Sequence, residues 1–194
     1  MKKFFAFSND FKNGVIQVKP NLPFGDIFPQ LLFSTKEKLP DEIVFSIKKG
    51  KKWTDLIYYY EFACSFFVSE RVINLFSLKM DMSNSYYPIK FKESDTPQYY
   101  KLYNVKQYEG INGRLEEYNY EEVPYFYLPE GEIPPALFTL KGTDMSIIDE
   151  DTMNQMKQMK ITNIYFDEIY GLNAKEYEEW KILHAQHKPL IPRL

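Results

Sequence analysis

The 194-residue chain has few of the residues from which catalytic and metal sites are commonly built. It contains 1 cysteine, 2 histidines and 8 glycines. The single cysteine, Cys64, excludes an internal disulfide and a zinc site made of cysteine pairs. Because Cys64 lies among phenylalanines, we expect a buried, inert thiol in a protein of a reducing compartment. The sequence also lacks a glycine-rich phosphate loop, an H-E-x-x-H motif and a G-x-S-x-G turn.

The two histidines, His184 and His187, are three positions apart near the end of the sequence. On a helix such a pair can share a metal ion, but there is no third histidine to complete a site. Pro189 follows closely and ends the helical pattern. We therefore predict a surface pair, with no metal, no cofactor and no catalytic residue. An enzyme of unknown chemistry stays as an alternative, which a deep polar pocket holding these side chains together with carboxylates would favour.

Long hydrophobic runs and a strong charge of either sign are also missing. No stretch approaches the roughly 20 apolar residues of a membrane span. The apolar start of the chain stops at Ser8, short of the about 7–15 apolar residues that a signal peptide needs. The net charge is −3 and the pI about 5.5, whereas nucleic-acid-binding proteins usually have a basic surface. We expect a cytoplasmic protein that binds neither membrane nor nucleic acid.

Aromatic residues, by contrast, are abundant. They make up 18 % of the chain, with 16 Tyr and 16 Phe. This abundance reflects either the codon usage of the genome or a tyrosine-rich contact surface, since tyrosine offers a large amphipathic area at a low entropy cost. The hydrophobic share of 44 % is enough for a core. The length fits a single domain over 1–194, or two packed lobes over 1–95 and 96–194.

Short strands and helices are interspersed along the chain, which predicts an α+β fold with a mainly antiparallel or mixed sheet and short helices packed on it. Two units have the order strand, helix, strand. The first has a strand ending at Val68, an N-cap at Ser69, a helix over 70–78 and a strand over 86–91. The second has an N-cap at Asp149, a helix containing residues 153–159 and a strand over 164–169. Their sequences share little identity, so duplication and coincidence are both open.

Other segments give less uniform signals. Residues 99–108 predict one long strand, and residues 136–141 predict another. Residues 53–60 fit either a buried strand or a short helix. Asn13-Gly14 is typical of a hairpin turn, and the prolines between residues 20 and 29 predict a loop without a helix.

One acidic and aromatic segment is the best candidate for a contact surface. In such a surface the charges steer association and the rings anchor the partner. The alternative is a solvated loop whose tyrosines lean on the sheet. The candidate partner-binding residues are Glu116, Glu117, Tyr118, Tyr120, Glu121, Glu122 and Tyr125.

Five segments between about residue 53 and residue 169 together resemble a bacterial immunity-protein family of polymorphic toxin systems, first described as a domain of unknown function. Their order and spacing carry the resemblance. The segments are Phe67-Val68-Ser69-Glu70-Arg71, Tyr86-Tyr87-Pro88-Ile89, Tyr99-Tyr100-Lys101-Leu102-Tyr103-Asn104-Val105, Leu137-Phe138-Thr139-Leu140-Lys141 and Ile164-Tyr165-Phe166. The resemblance implies a non-catalytic cytoplasmic protein that binds a cognate toxin domain and blocks it. A non-catalytic scaffold protein of the same fold is the alternative.

Ser69, Glu70 and Arg71 form the most recognisable of these motifs. We interpret them as structural residues. Ser69 would cap the helix, and Glu70 would interact with the positive end of the helix dipole. Arg71 would pair with a carboxylate across the sheet.

Overall fold

The computed structural model describes residues 2–10, 12–23, 25–26, 38–60, 62–110, 125–141, 143 and 145–185, without the side chains of 62–65, 181 and 183–185. These residues form thirteen strands and three helices of eight or more residues, which confirms the predicted α+β class. The strands are β1 Lys2–Asn9, β2 Gln17–Pro20, β3 Val44–Lys49, β4 Leu56–Tyr59, β5 Phe62–Ser69, β6 Tyr86–Pro88, β7 Lys90–Phe91, β8 Tyr99–Leu102, β9 Gln107–Tyr108, β10 Tyr125–Tyr127, β11 Leu137–Leu140, β12 Ser146–Ile148 and β13 Ile164–Leu172. The helices are α1 Glu70–Ser77, α2 Glu150–Gln158 and α3 Ala174–Ala185.

Seven strands form a first sheet, sheet I, in the order β6-β8-β5-β4-β2-β3-β7. Its edge strands β6 and β7 are separated in the chain only by Ile89. One continuous stretch of chain therefore lies along both edges, so the sheet curls until its edges meet. Near this kink, the Ile89 N–H donates to the Tyr99 carbonyl (3.0 Å), and the Lys92 N–H donates to the Phe45 carbonyl (2.8 Å). Sheet I is thus closed, and the predicted strand over 86–91 is one bent strand.

Six strands form sheet II, in the order β10-β13-β1-β12-β11-β9. Its edges also meet, because Gly110, just after β9, forms an antiparallel bridge with Phe126 in β10. In addition, the Tyr127 N–H donates to the Glu109 carbonyl at 2.9 Å. Strand β1 lies between β12 and β13 and pairs antiparallel with both. Both sheets also contain parallel pairs, β2 with β4 and β3 with β7 in sheet I, and β9 with β11 and β10 with β13 in sheet II.

Alternate residues of the strands fill two interiors and one central layer. The interior of sheet I includes Val18, Phe45 and Ile57, and that of sheet II is rich in phenylalanine. The central layer contains the outward-facing residues of both sheets and the apolar faces of α1 and α2. Strands such as β4, with all four residues buried, therefore have an apolar residue at every position.

The helices follow their sequence signals. Helix α1 buries Val72, Ile73, Leu75 and Phe76. At the start of α2, the Asp149 carboxylate accepts a hydrogen bond from the Thr152 N–H at 2.7 Å, as a cap residue does. None of the helices in the described residues is long and apolar enough to cross a membrane.

The two sheets do not follow a division of the chain at residue 95. Strand β1 belongs to sheet II, although it lies at the N-terminal end, and β8, which begins at Tyr99, belongs to sheet I. Asn13 and Gly14 do form a turn, with Gly14 at a φ of +84°. This turn connects strands of different sheets, so the predicted hairpin is wrong.

Three other local predictions change. The strand predicted over 99–108 breaks at Asn104, which has a φ of +52°, and its two parts, β8 and β9, lie in different sheets. The ambiguous region 53–60 contains β4 and no helix. Gly25 and Asp26 have helical backbone, where the nearby prolines predicted only a loop.

Candidate binding surface

The candidate surface begins where sheet II closes. Six of the seven predicted residues, from Glu116 to Glu122, lie outside the described residues, and Tyr125 opens strand β10. The described residues on either side of them, Gly110 and Tyr125, lie next to each other because Gly110 pairs with Phe126. The segment 111–124 therefore leaves and rejoins the fold at one point. Its sequence has four glutamates and one arginine, a net charge of −4 + 1 = −3.

Tyr125 lies in a cluster of aromatic rings on the surface of sheet II. It is half-buried and pairs with Tyr170 of β13, with ring centroids 6.1 Å apart. The Trp180 ring of α3 lies 5.2 Å from Tyr125 and stacks on Tyr177 at 6.1 Å. Helix α3 thus holds a cluster of aromatic rings beside one end of the segment 111–124. Tyr177 and Trp180 lie three positions apart in the sequence, the spacing of one helix face, but their ring partners lie on distant strands.

Helix α3 is held by a reciprocal cap. The Glu176 N–H donates to the Asn173 side chain at 2.9 Å, and the Asn173 N–H donates to the Glu176 carboxylate at 3.0 Å. Each end of this pair satisfies a backbone donor that the first turn of a helix leaves free. The cap fixes where α3 begins, directly after β13, and therefore where Trp180 meets Tyr125.

Charged residues beside the cluster are matched in pairs. Lys3 of β1 forms an ion pair with Glu168 of β13, and this contact lowers the pKa of the Glu168 carboxyl. The Tyr170 hydroxyl also donates to Glu168 at 2.9 Å, and this hydrogen bond raises the pKa of Tyr170. Glu168 therefore has both a lysine and a tyrosine as partners.

Further pairs lie around the closure. Lys106 forms an ion pair with Glu132 and thereby lowers the pKa of that carboxyl, and the Tyr108 hydroxyl donates to the same oxygen at 2.8 Å. Lys141 pairs with Glu109. Each of these two carboxylates has a lysine partner, whereas the segment 111–124 adds a net charge of −3 by its sequence.

The motif Ser69-Glu70-Arg71 builds a polar junction instead of a surface. Ser69 has extended backbone at the N-cap position, but its hydroxyl donates to the Asp55 carboxylate at 2.8 Å and caps no helix N–H. The Arg71 guanidinium pairs with Asp55 across strands β4 and β5, at 3.1 Å and 3.3 Å. The exposed Glu70 lies in the first turn of α1, at the positive end of the helix dipole.

Asp55 also joins the two sheets. Its carboxylate accepts hydrogen bonds from the Thr162 N–H and hydroxyl, both at 2.9 Å, and its own N–H donates back to that hydroxyl at 2.9 Å. Thr162 precedes β13, whereas Asp55 precedes β4. The Asp55 side chain is only 6 % exposed. With its lone pairs occupied by four donor groups, this carboxylate is built to hold structure and is poorly placed to accept a proton from a substrate.

The described residues contain no group of three or more His, Cys, Asp or Glu placed to hold a metal ion. The side chains of Cys64, His184 and His187 lie outside the described part of the structure. No protein-family model matches the chain, and no match was found among curated proteins or solved structures. The resemblance to immunity proteins therefore rests on the sequence pattern alone.

Proposed function

We propose that this protein is an immunity protein that binds a cognate bacterial toxin domain and neutralises it by covering it. The sequence pattern over residues 53–169 supports this function. The observation that carries the proposal is the closure of sheet II at Gly110 and Phe126, which brings both ends of the acidic, tyrosine-rich segment to one place beside Tyr125.

Neutralisation of this kind needs no chemistry. It needs a surface that matches the toxin in shape and charge and that associates rapidly. The four glutamates of the segment would attract a basic toxin domain, such as a nuclease, and its tyrosines would supply the buried anchors. Because Tyr125 is already packed against Trp180, its ring would lose little conformational freedom on binding.

The first test is co-expression with the C-terminal domain of the protein encoded directly upstream. We expect that domain to arrest growth alone and to be harmless with this protein, with a one-to-one complex that can be purified. Persistent toxicity in the presence of well-folded protein would refute the pairing and favour the scaffold or enzyme alternative.

A charge-reversal variant tests the surface within that complex. Changing Glu117, Glu121 and Glu122 to Lys should slow association at low salt by about tenfold or more and weaken its salt dependence, because steering by charge is lost. A matched control makes the same change in net charge at three exposed acids between β2 and β3, far along the chain from the segment: Asp26, Asp41 and Glu42. Equal association rates for the two variants would remove the segment 111–124 from consideration.

A further inference from the structure

Sheets I and II have the same topology. In chain order, β2, β3, β4, β5, α1 and β6–β7 of sheet I correspond to β9, β10, β11, β12, α2 and β13 of sheet II. The order of neighbouring strands agrees between the two sheets, and so does the relative direction of each neighbouring pair. In both sheets the first of these strands is parallel to the third, the second is parallel to the last, and all other neighbours are antiparallel. The copies differ in one strand. Sheet I uses β8, which follows β7, whereas sheet II uses β1 from the other end of the chain.

The pairing registers extend this match to single residues. Equivalent positions, written as sheet I/sheet II, are Val18/Tyr108, Phe45/Phe126, Leu56/Leu137, Ile57/Phe138, Val68/Ile148, Ile89/Ile169 and Tyr99/Phe4. Both members of each pair face the same region, either a sheet interior or the central layer. Gln17 and Gln107 are also equivalent, and each donates its amide to the equivalent hydroxyl, that of Tyr58 and that of Thr139.

Contacts around the two helices are reciprocal. Arg71 of α1 donates to the carbonyl of Met159, just beyond α2, at 2.6 Å. Asp151 of α2 accepts a hydrogen bond from Lys79, just beyond α1. Positions 71 and 151 are equivalent, and so are positions 79 and 159. When residue i of one copy meets residue j of the other, and j meets i in return, the copies are related by a twofold axis.

The copies differ in how their interiors are filled. In sheet I the connection between the first two strands, residues 21–43, contributes Leu39 and Ile43, which are 4 % and 3 % exposed. In sheet II the equivalent connection is residues 111–124. At equivalent interior positions sheet II has two larger side chains, Tyr108 for Val18 and Phe138 for Ile57, and two smaller ones, Leu140 for Tyr59 and Ile147 for Phe67.

Four rings meet across the interior of sheet II. Phe4, Tyr108, Phe126 and Phe138 come from four different strands, and their centroids lie 5.0–5.6 Å apart in five pairs. Contacts at this distance are those of a well-packed core. Rings from these four strands thus pack directly against one another across the interior of sheet II.

We propose that the chain contains two copies of one closed-sheet unit, related by an internal twofold axis. The connection between the first two strands has a different role in each copy. Residues 21–43 complete the core of sheet I, whereas sheet II holds together without residues 111–124. If the proposed function is also correct, the connection of sheet II serves to bind the partner. One copy then uses its connection for folding and the other uses its connection for partner binding.

Matched replacements test this difference. Because Gly110 faces Phe126, replacing residues 112–124 with Asn-Gly leaves residues 111 and 125 flanking a two-residue hairpin turn. Because Pro20 faces Phe45, replacing residues 22–43 with Asn-Gly makes the same junction in sheet I. We expect the first variant to melt within about 5 °C of the full chain. The second should melt more than about 10 °C lower or fail to fold, because two core side chains are lost.

A loss of stability in the 112–124 variant as large as that in the 22–43 variant would overturn the proposal. If the 22–43 variant does not fold, Leu39→Ala in the full chain gives the comparison, with an expected fall of roughly 5–10 °C. No fall would also count against the proposal. The co-expression assay separates the functional part: a folded 112–124 variant that still neutralises the toxin would place the recognition surface elsewhere. If the full chain does not neutralise, the proposed function fails, and the melting comparison still decides how the connections are used.

Discussion

The junction at Asp55 should contribute more to stability than any other ion pair described here. The Asp55 carboxylate, which is 6 % exposed, accepts hydrogen bonds from the Thr162 N–H, the Thr162 hydroxyl and the Ser69 hydroxyl. Asp55→Ala removes this acceptor. A hydrogen bond to a charged group contributes about 1.5–3 kcal/mol, and part of the loss is recovered where water can reach the freed donors. The Arg71 side chain is 52 % exposed, so its freed charge can be solvated and adds little.

Three neutral donors lose their acceptor, but Thr162 is exposed and Ser69 half-buried, so water recovers part of the loss. We therefore expect Asp55→Ala to lower the free energy of unfolding by about 3 kcal/mol. For a chain of this size the melting temperature should fall by roughly 6–12 °C. Asp55→Asn should cost less, about 1–2 kcal/mol, because the amide oxygen can still accept from Thr162 while the Ser69 hydroxyl turns to accept from the amide.

Urea unfolding of the three proteins, followed by circular dichroism, measures these differences. The matched control is Asp151→Ala, which removes a carboxylate that is 69 % exposed and paired with Lys79 on the other side of the twofold axis. We expect a cost below about 1 kcal/mol there. If Asp55→Ala also cost less than about 1 kcal/mol, or if Arg71→Ala cost as much as Asp55→Ala, the reasoning from the neutral donors around the buried Asp55 carboxylate would be refuted.

Three further outcomes follow from the structure. Gly50→Ala should destabilise the protein by about 3 kcal/mol or more in urea unfolding, because Gly50 has a φ of +85° and an added Cβ would overlap the Val15 carbonyl; an unchanged midpoint would contradict this geometry. Burial raises the pKa of Tyr99 above its ordinary value of 10.0, so the folded state keeps a proton that the unfolded state loses, and stability should fall above about pH 10 with a shallower slope in Tyr99→Phe. Trp180→Ala should speed dissociation of the purified complex several-fold, and Ile182→Ala, at a residue 61 % exposed on the same helix, should not.

Local signals were sufficient to predict the two strand–helix–strand units. A cap residue, acids in the first turn and apolar residues at helical spacing are all short-range features, and they placed α1 and α2 within a residue or two. A short apolar run over residues 136–141 likewise predicted β11, which spans Leu137–Leu140. Each of these elements packs one apolar face against the central layer, so the spacing of apolar residues in the sequence matches the buried face in the fold.

The closure of the sheets could not be predicted in this way. It depends on pairings between distant residues, such as Lys3 with Tyr170, for which no local pattern exists. Strands buried on both faces also lose the alternation that reveals a half-buried strand, as β4 illustrates. Asn104 broke a strand that the apolar pattern had predicted as continuous, because one residue with positive φ can redirect the chain into another sheet.

The candidate surface was predicted only in part for a related reason. The acids and tyrosines of the segment are visible in the sequence, but Tyr125 gains its neighbours from β13 and α3, some 45 and 55 residues away. Those neighbours make Tyr125 a fixed contact point, and a list of aromatic residues does not show which rings are fixed. The Ser69-Glu70-Arg71 motif is the opposite case, since its residues are adjacent in sequence but act through Asp55 and Thr162.

The internal twofold axis explains why the junction at Asp55 occurs once and not twice. The residue equivalent to Asp55 is Ala136, and the residue equivalent to Thr162 is the buried Met82. One side of the axis therefore joins the copies through a buried carboxylate, whereas the other side has the buried Met82 and an exposed ion pair between Lys79 and Asp151. A polar contact requires its donors and acceptors in fixed positions, so it selects one arrangement of the two copies more sharply than apolar packing can. The single junction thus fixes the copies in one relative position, and the surface beside Tyr125 is held in place by the same arrangement.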